Sequence, residues 1–156
     1  MNYVASFKSP VGNLLLQATE RGLVSCDITE DDPSYALEVM GAPSEPLEEY
    51  AEEIDDYFAG VRRTFSFPLD IQGTDFQIAT WYALRNIPYG ETRTYAQIAD
   101  LIGRPGAARA VGTACHVNPL AIVIPCHRVV AANSIGGYGF GLPAKRFLLR
   151  LEGCKI

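Results

Sequence analysis

The chain has 156 residues, room for one domain or two small ones sharing a boundary, and its 48% hydrophobic content is ordinary for a soluble globular protein. No apolar run approaches the length of a membrane span, and the opening MNYVASFKSP lacks a secretion signal's hydrophobic stretch, so the chain is expected in the cytoplasm with no membrane partner. A net charge of −5 argues at first against a nucleic-acid partner.

That total conceals an asymmetry. Residues 1–70 carry 4 basic and 14 acidic side chains (net −10), whereas residues 71–156 carry 9 basic and 4 acidic (net +5). One half could therefore meet a polyanion while the other stays clear of it, although an acidic surface that only aids solubility gives the same pattern. The four cysteines, Cys26, Cys115, Cys126 and Cys154, show no C-x-x-C spacing and read as free thiols in a reducing compartment. With only His116 and His127 available, neither a conventional zinc site nor any other cofactor is expected.

In chain order, Tyr3 to Lys8, Asn13 to Thr19 and Leu23 to Thr29 are short apolar-rich segments separated by turn signals at Ser9-Pro10-Val11-Gly12 and Glu20-Arg21-Gly22. They predict an antiparallel meander. Glu30 to Ser44 is polar, and part of it reads as loop. Pro46 to Phe58 has an acidic first half and apolar Leu47, Tyr50, Ala51, Ile54 and Phe58 at helical spacing, which predicts a helix across the sheet. Thr64 to Ile71 reads as a returning strand, and Gln72-Gly73 as a boundary. The expected domains are thus 1–72, a scaffold without a chemical motif, and 73–156.

In the second half, Thr74 or Asp75 can cap a helix to about Asn86, with Phe76, Ile78, Ala79, Tyr82 and Leu84 among its apolar positions; Pro88-Tyr89-Gly90 ends it. Thr94 followed three residues later by Gln97 is a capping-box pattern, opening a helix with Tyr95, Ile98, Ala99 and Ile102 on one face. Gly103-Arg104-Pro105-Gly106 turns the chain into a second helix, Ala107 to about Cys115, and the pair suggests a helix-turn-helix. Ala107, Ala108, Ala110, Gly112 and Ala114 leave that helix slender, with Arg109 its one charged side chain. Slenderness fits close packing on a neighbour or close approach to another surface.

Asn118 to Val130, NPLAIVIPCHRVV, is the most informative stretch. Ala121 to Ile124 has the length of a buried strand, and Pro125 stops it, which would present Cys126, His127 and Arg128 at a strand end. A cysteine beside an apolar run is commonly just a small hydrophobe, and neighbours on an extended segment face opposite ways, so adjacency to His127 is weak support for chemistry. The context is stronger. Pro125-Cys126-His127-Arg128-Val129-Val130, preceded by Asn118-Pro119 and followed by Gly136-Gly137-Tyr138, resembles the signature of the O6-alkylguanine-DNA alkyltransferases, and the likeness runs from Asp75 to Gly153.

The resemblance implies an α+β protein: a small ribonuclease-H-like domain built on an antiparallel sheet, then a helical winged helix-turn-helix domain. It implies repair of double-stranded DNA by a monomer that transfers a methyl or larger alkyl group from O6-alkylguanine to its own cysteine, once per molecule. By the same resemblance Cys126 is the acceptor, His127 the base acting through water, and Glu152 the carboxylate that orients it. Tyr95 helps rotate the target nucleotide outward and donates to the purine, Arg109 fills the vacated stack from the minor groove, and Asn118 ties the helix-turn-helix to the active segment. Ala108, Val129, Tyr138, Gly139, Phe140 and Lys145 complete the implied DNA and substrate contacts, with the Cys126 and Val129 carbonyls accepting from the guanine amine and a backbone N–H near Gly139 meeting its oxygen. Phe140 stands where some relatives have a small residue and is expected to narrow the entrance.

Read from the sequence alone, Glu152 would be a helix-end carboxylate poorly placed for the helix dipole, Tyr95 could be a plain core residue, and Arg128 reads as the partner of a carboxylate. A thiol of ordinary pKa ~8.5 is only a few per cent ionised at neutral pH, so full ionisation would speed attack by ~30-fold. Positioning can supply far more, ~7–11 kcal/mol. The competing classes are a non-reactive sensor of alkylated DNA or helix-turn-helix regulator, and a Cys-His hydrolase. The sensor would lack the cysteine that is present here; the hydrolase would need an oxyanion motif that does not appear.

Overall fold

A computed structural model of the chain describes residues 2–32 and 44–156, and the chain divides into two compact units, Met1–Ile71 and Gln72–Ile156. The loop expected within Glu30 to Ser44 lies mostly outside the described residues.

In the first unit β1 (Tyr3–Ser9), β2 (Gly12–Thr19) and β3 (Gly22–Thr29) form an antiparallel meander in that order, with Phe7 opposite Leu14 and Leu16 opposite Cys26. Leu14, Leu16 and Ala18 alternate along β2 and are all buried, as a one-sided sheet requires. Helix α1 (Leu47–Phe58) covers that face with Leu47, Tyr50, Ala51, Ile54 and Tyr57. Tyr57 takes the inward place expected of Phe58, one position along a helix whose apolar stripe is broad enough for either.

Thr64 to Ile71 is not a strand. Its only pairing among the described residues is a single parallel bridge, in which Leu23 N–H donates to Pro68 O (2.9 Å) and Asp70 N–H to Leu23 O (2.8 Å). Pro68 has no N–H to extend a ladder. The segment is held by side chains instead: Phe67 stacks on Tyr50 at 4.7 Å, and the Glu53 carboxylate accepts from both Ser66 N–H and Ser66 Oγ (2.7 Å each).

The second unit begins with α2 (Asp75–Arg85), capped by Thr74, whose hydroxyl accepts from Gln77 N–H while Gln77 Oε1 accepts from Thr74 N–H. Its inward face differs from the expected one. Thr80, Trp81 and Leu84 are buried, whereas Tyr82 is 52% exposed. The large indole sets the helix phase, because Trp81 Nε1 donates to Ala114 O at 2.9 Å. After Pro88 to Gly90 come β4 (Arg93–Thr94) and α3 (Tyr95–Leu101), opened by the capping box of Thr94 and Gln97. A tight turn leads to α4 (Ala108–His116), and α2, α3 and α4 pack on one another.

Ala121 to Ile124 is buried yet turned rather than extended: Ile124 N–H returns to Leu120 O (2.9 Å), and Ile122 adopts φ +72°. A buried apolar run has no periodicity to distinguish a strand from a packed turn. Asn118 decides for the turn, its side chain accepting from Leu120 N–H (2.9 Å) and donating to Ile124 O (2.8 Å). Cys126–Arg128 then form one turn of 3-10 helix, and β5 (Val129–Val130) pairs in parallel with β4, Arg93 opposite Val129. Helix α5 (Leu142–Leu151) closes the unit. No helix among the described residues is long and apolar enough to cross a membrane.

Gly22 sets a sharp constraint on the first unit. It has φ +148°, and a Cβ there would lie 2.5 Å from Pro68 O. Gly22→Ala should therefore lower unfolding stability by more than ~1 kcal/mol. Urea titration followed by far-ultraviolet circular dichroism checks this; an unshifted midpoint would remove the bridge from the account.

Candidate active site

One turn of 3-10 helix sends Cys126 one way and His127 and Arg128 another. Cys126 is 3% exposed and lines a cavity of about 100 Å³ with Tyr95, Gly112, Cys115, His116, Gly137, Tyr138 and Gly139. A single water needs ~10–15 Å³, so this space takes a multi-atom group. His127 and Arg128 point away from it, toward the end of α5.

There the Glu152 carboxylate, buried and immediately beyond α5, joins them. Arg128 Nε donates to Glu152 Oε1 (2.7 Å), Arg128 Nη2 to Oε2 (2.9 Å), and Arg128 Nη1 to Ile87 O (2.8 Å). Burial alone would raise the Glu152 carboxyl; hydrogen bonds from His127 and Arg128 outweigh it and hold the group at about 2. The carboxylate is therefore ionised and can only accept. His127 Nε2, 2.8 Å from Oε2, must be the donor. Burial, the largest influence, lowers the His127 pKa and keeps the ring neutral, so Nδ1 carries a lone pair. That nitrogen is buried with no hydrogen-bond partner among the described residues.

Cys126 Sγ accepts from Asn118 Nδ2 at 3.1 Å. Burial pushes the thiol up to about 11, more than Asn118, the Lys145 ammonium and Tyr138 together pull it down. At neutral pH the thiolate is then on the order of 10⁻⁴ of molecules, well below the few per cent of an ordinary cysteine. The group rests as a thiol, and any attack by its sulfur must first remove a proton.

The other residues singled out by sequence fall into two groups. Tyr95, Tyr138 and Gly139 share the cavity with Cys126. A Cβ on Gly139 would meet His116 O at 2.9 Å, which is why this wall of the cavity is bare backbone. Phe140 is not on the cavity wall; its ring meets Tyr138 edge-on at 5.3 Å. Lys145 is fully buried, and its Nζ donates to Val129 O (2.7 Å) and Gly137 O (2.8 Å), clamping the glycine loop to β5. Desolvation lowers its pKa to about 8. The Val129 carbonyl thus already holds one donor, and Cys126 O likewise accepts from Val129 N–H. Each carbonyl keeps a second lone pair.

Arg109 and Ala108 stand away from the cavity, in the first turn of α4, with Arg109 exposed. The helix turns Val111, Ala114 and Cys115 inward and leaves Arg109, Ala110, Thr113 and His116 outward. Sequence reading passed over Cys115 and His116 as cavity residues. Their three- and four-residue spacing from Gly112 was the available signal.

Residues 75–154 match the family described as 6-O-methylguanine DNA methyltransferase, DNA binding domain, and residues 2–71 match its ribonuclease-like domain. The chain is 44% identical over 153 residues to the methylated-DNA-protein-cysteine methyltransferase of Methanosarcina acetivorans, covering 97% of this chain and 98% of that one. The crystal structure of the Mycobacterium tuberculosis O6-methylguanine methyltransferase superposes with a TM-score of 0.85 at 43% identity, over 97% of this chain and 93% of that one. The same mycobacterial protein in complex with DNA matches at 0.84 and 42% identity, over 96% and 92%. Two family domains spanning nearly the whole chain, and relatives this similar along their full length, place the protein in the 6-O-methylguanine DNA methyltransferase family.

Proposed function

We propose that the protein repairs alkylated DNA by direct reversal, transferring the alkyl group of O6-alkylguanine irreversibly to Cys126. The observation that carries this reading is a buried thiol lining a cavity of about 100 Å³, backed by a neutral histidine and an ionised glutamate. Sγ attacks the alkyl carbon as the carbon–oxygen bond breaks and guanine leaves with the electron pair. The thiol proton passes through a water to His127 Nδ1, while Glu152 holds the ring and stabilises its charge. A thioether has no carbonyl for water to attack, so the product stays alkylated and each molecule reacts once. With so little thiolate at rest, the rate depends on holding sulfur in line with the departing oxygen.

A base inside a duplex cannot reach this cavity, and extruding it costs a few kcal/mol. Arg109, exposed in the first turn of a helix whose neighbouring outward residues Ala110 and Thr113 are small, is suited to enter the minor groove and occupy the vacated stack. Tyr95, on the cavity wall, is suited to meet the flipped purine, and the Gly137 to Gly139 backbone to meet its edge. Residues 73–156 act in this reading as the DNA-binding and reacting domain and 1–72 as scaffold, which fits the charge difference between the halves. The protein acts as a monomer on double-stranded DNA.

Incubation with a duplex oligonucleotide containing O6-methylguanine should add one methylene to the intact mass, located on the Cys126 peptide and absent in Cys126→Ala. An unchanged mass rejects the reading. Arg109→Ala should slow repair of the duplex by at least tenfold, ~1.4 kcal/mol, yet react almost normally with free O6-benzylguanine. Equal losses on both substrates would deny Arg109 a role in extrusion.

Acid should uncouple the His127 and Glu152 network in two stages. The His127 pKa is depressed on folding, so protonation favours the unfolded chain as pH falls below 6.5. Glu152 is also depressed, to about 2 from 4.5, so its contribution is complete above 4.5 and is lost between those values. Glu152→Gln leaves Arg128 buried and half-paired, which should cost ~3–5 kcal/mol and remove the lower stage. Unfolding free energy measured from pH 7 to 3 in both proteins checks this; parallel curves would exclude Glu152 as its source.

A further inference from the structure

We propose that the cavity holds two nucleophiles, and that Cys115 captures the far end of an alkyl lesion bearing a leaving group at its tip, stapling α4 to the active-site turn. The inference rests on the reading of Cys126 as alkyl acceptor. Cys115 comes from the inward face of α4 and Cys126 from the 3-10 turn, yet both line the same space of about 100 Å³. The two sulfurs are near enough for a negative charge on Cys126 to raise the Cys115 pKa, and the Lys145 ammonium favours the thiolate of each.

Burial pushes Cys115 up to about 12, so an electrophile arriving from solution meets an almost inert thiol. A tethered electrophile is different. An alkyl chain already bonded to Cys126 Sγ raises the effective concentration of its tip at Cys115 to ~10⁵–10⁸ M, which offsets a thiolate fraction on the order of 10⁻⁵ at pH 7. Guanine vacates the cavity after the first transfer, giving the tail room to turn.

The substrate class is O6-(ω-haloalkyl)guanine. In the first step a sulfur–carbon bond forms at Cys126, the carbon–oxygen bond breaks, and the thiol proton ends on the departing guanine. In the second, Cys115 Sγ bonds the terminal carbon, the carbon–halogen bond breaks, halide leaves with the electron pair, and the Cys115 proton goes to solvent. The product is a dithioether bridge that consumes both electrophilic ends, which would otherwise be free to attack DNA or another protein.

The test uses the full chain and duplex oligonucleotides carrying O6-(ω-bromoalkyl)guanine with tethers of two, three and four carbons, beside O6-methylguanine. Intact mass and peptide mapping give the bridged fraction among molecules alkylated at Cys126, a ratio independent of the rate of the first step. At the tether that fits, the major product should lack bromine and join the Cys115 and Cys126 peptides. Cys115→Ala and Cys115→Ser should give no bridge, ending instead with bromide or hydroxyl at the tip. Alkylated wild-type protein with Cys115 free at every tether length overturns the proposal, as does methyl transfer with no reaction toward any bromoalkyl lesion. Absence of methyl transfer itself would strike the reading of Cys126 instead.

Discussion

A carboxylate buried at the end of the last helix organises the reacting half of the protein. Glu152 binds Arg128 through both oxygens and His127 through one of them, so two successive side chains of the 3-10 turn are fixed from outside it. A half-paired ion at this depth would cost several kcal/mol, which makes the arrangement all or none. Arg128 spends a further N–H on Ile87 O, and its guanidinium lies 5.7 Å from the Tyr89 ring centre. The turn cannot rotate without breaking every one of these contacts. Cys126, first residue of the same turn, is aimed by what its neighbours hold.

A second clamp is built on Asn118. Asn118 satisfies the backbone of the buried turn before Pro125 and reaches Cys126 Sγ with the same amide. That turn includes Ile122 in the left-handed region, a conformation worth ~1–3 kcal/mol of strain that the surrounding packing must absorb. Lys145 ties the glycine loop to β5, and β5 pairs with the strand that delivers Tyr95. Cavity floor, wall and rim thus come from elements that are cross-linked by polar contacts to one another. Such rigidity suits a reaction whose main resource is position.

The electrostatics point the same way. A site built to ionise its cysteine would place cations against sulfur and leave it wet; here burial dominates and the thiol stays protonated. What the site supplies in exchange is a neutral imidazole whose tautomer is dictated by an ionised partner. In the proposed reaction proton removal and carbon transfer are thereby coupled, and the thiol is spared reaction with stray electrophiles before a base enters. For a protein that reacts once, premature loss of the thiol is final.

Much of this was legible in the residues. Apolar segments set between turn signals marked the meander, Thr94 with Gln97 marked the start of α3, and the string Pro125 to Val130 marked the candidate site, because those signals are local or carried by an ordered motif. Packing decided the rest. Ala121 to Ile124 became a turn since only the Asn118 side chain, folded back over it, could settle what a featureless apolar run leaves open. Tyr82 yielded the inward face of α2 to Trp81 because a carbonyl on α4 stood ready to accept from the indole. Arg128 found Glu152 through an approach across 24 residues of chain that no pattern of neighbours encodes. Sequence spacing reveals which face a residue shares, whereas the partner on the other side of that face exists only once the chain has closed upon itself.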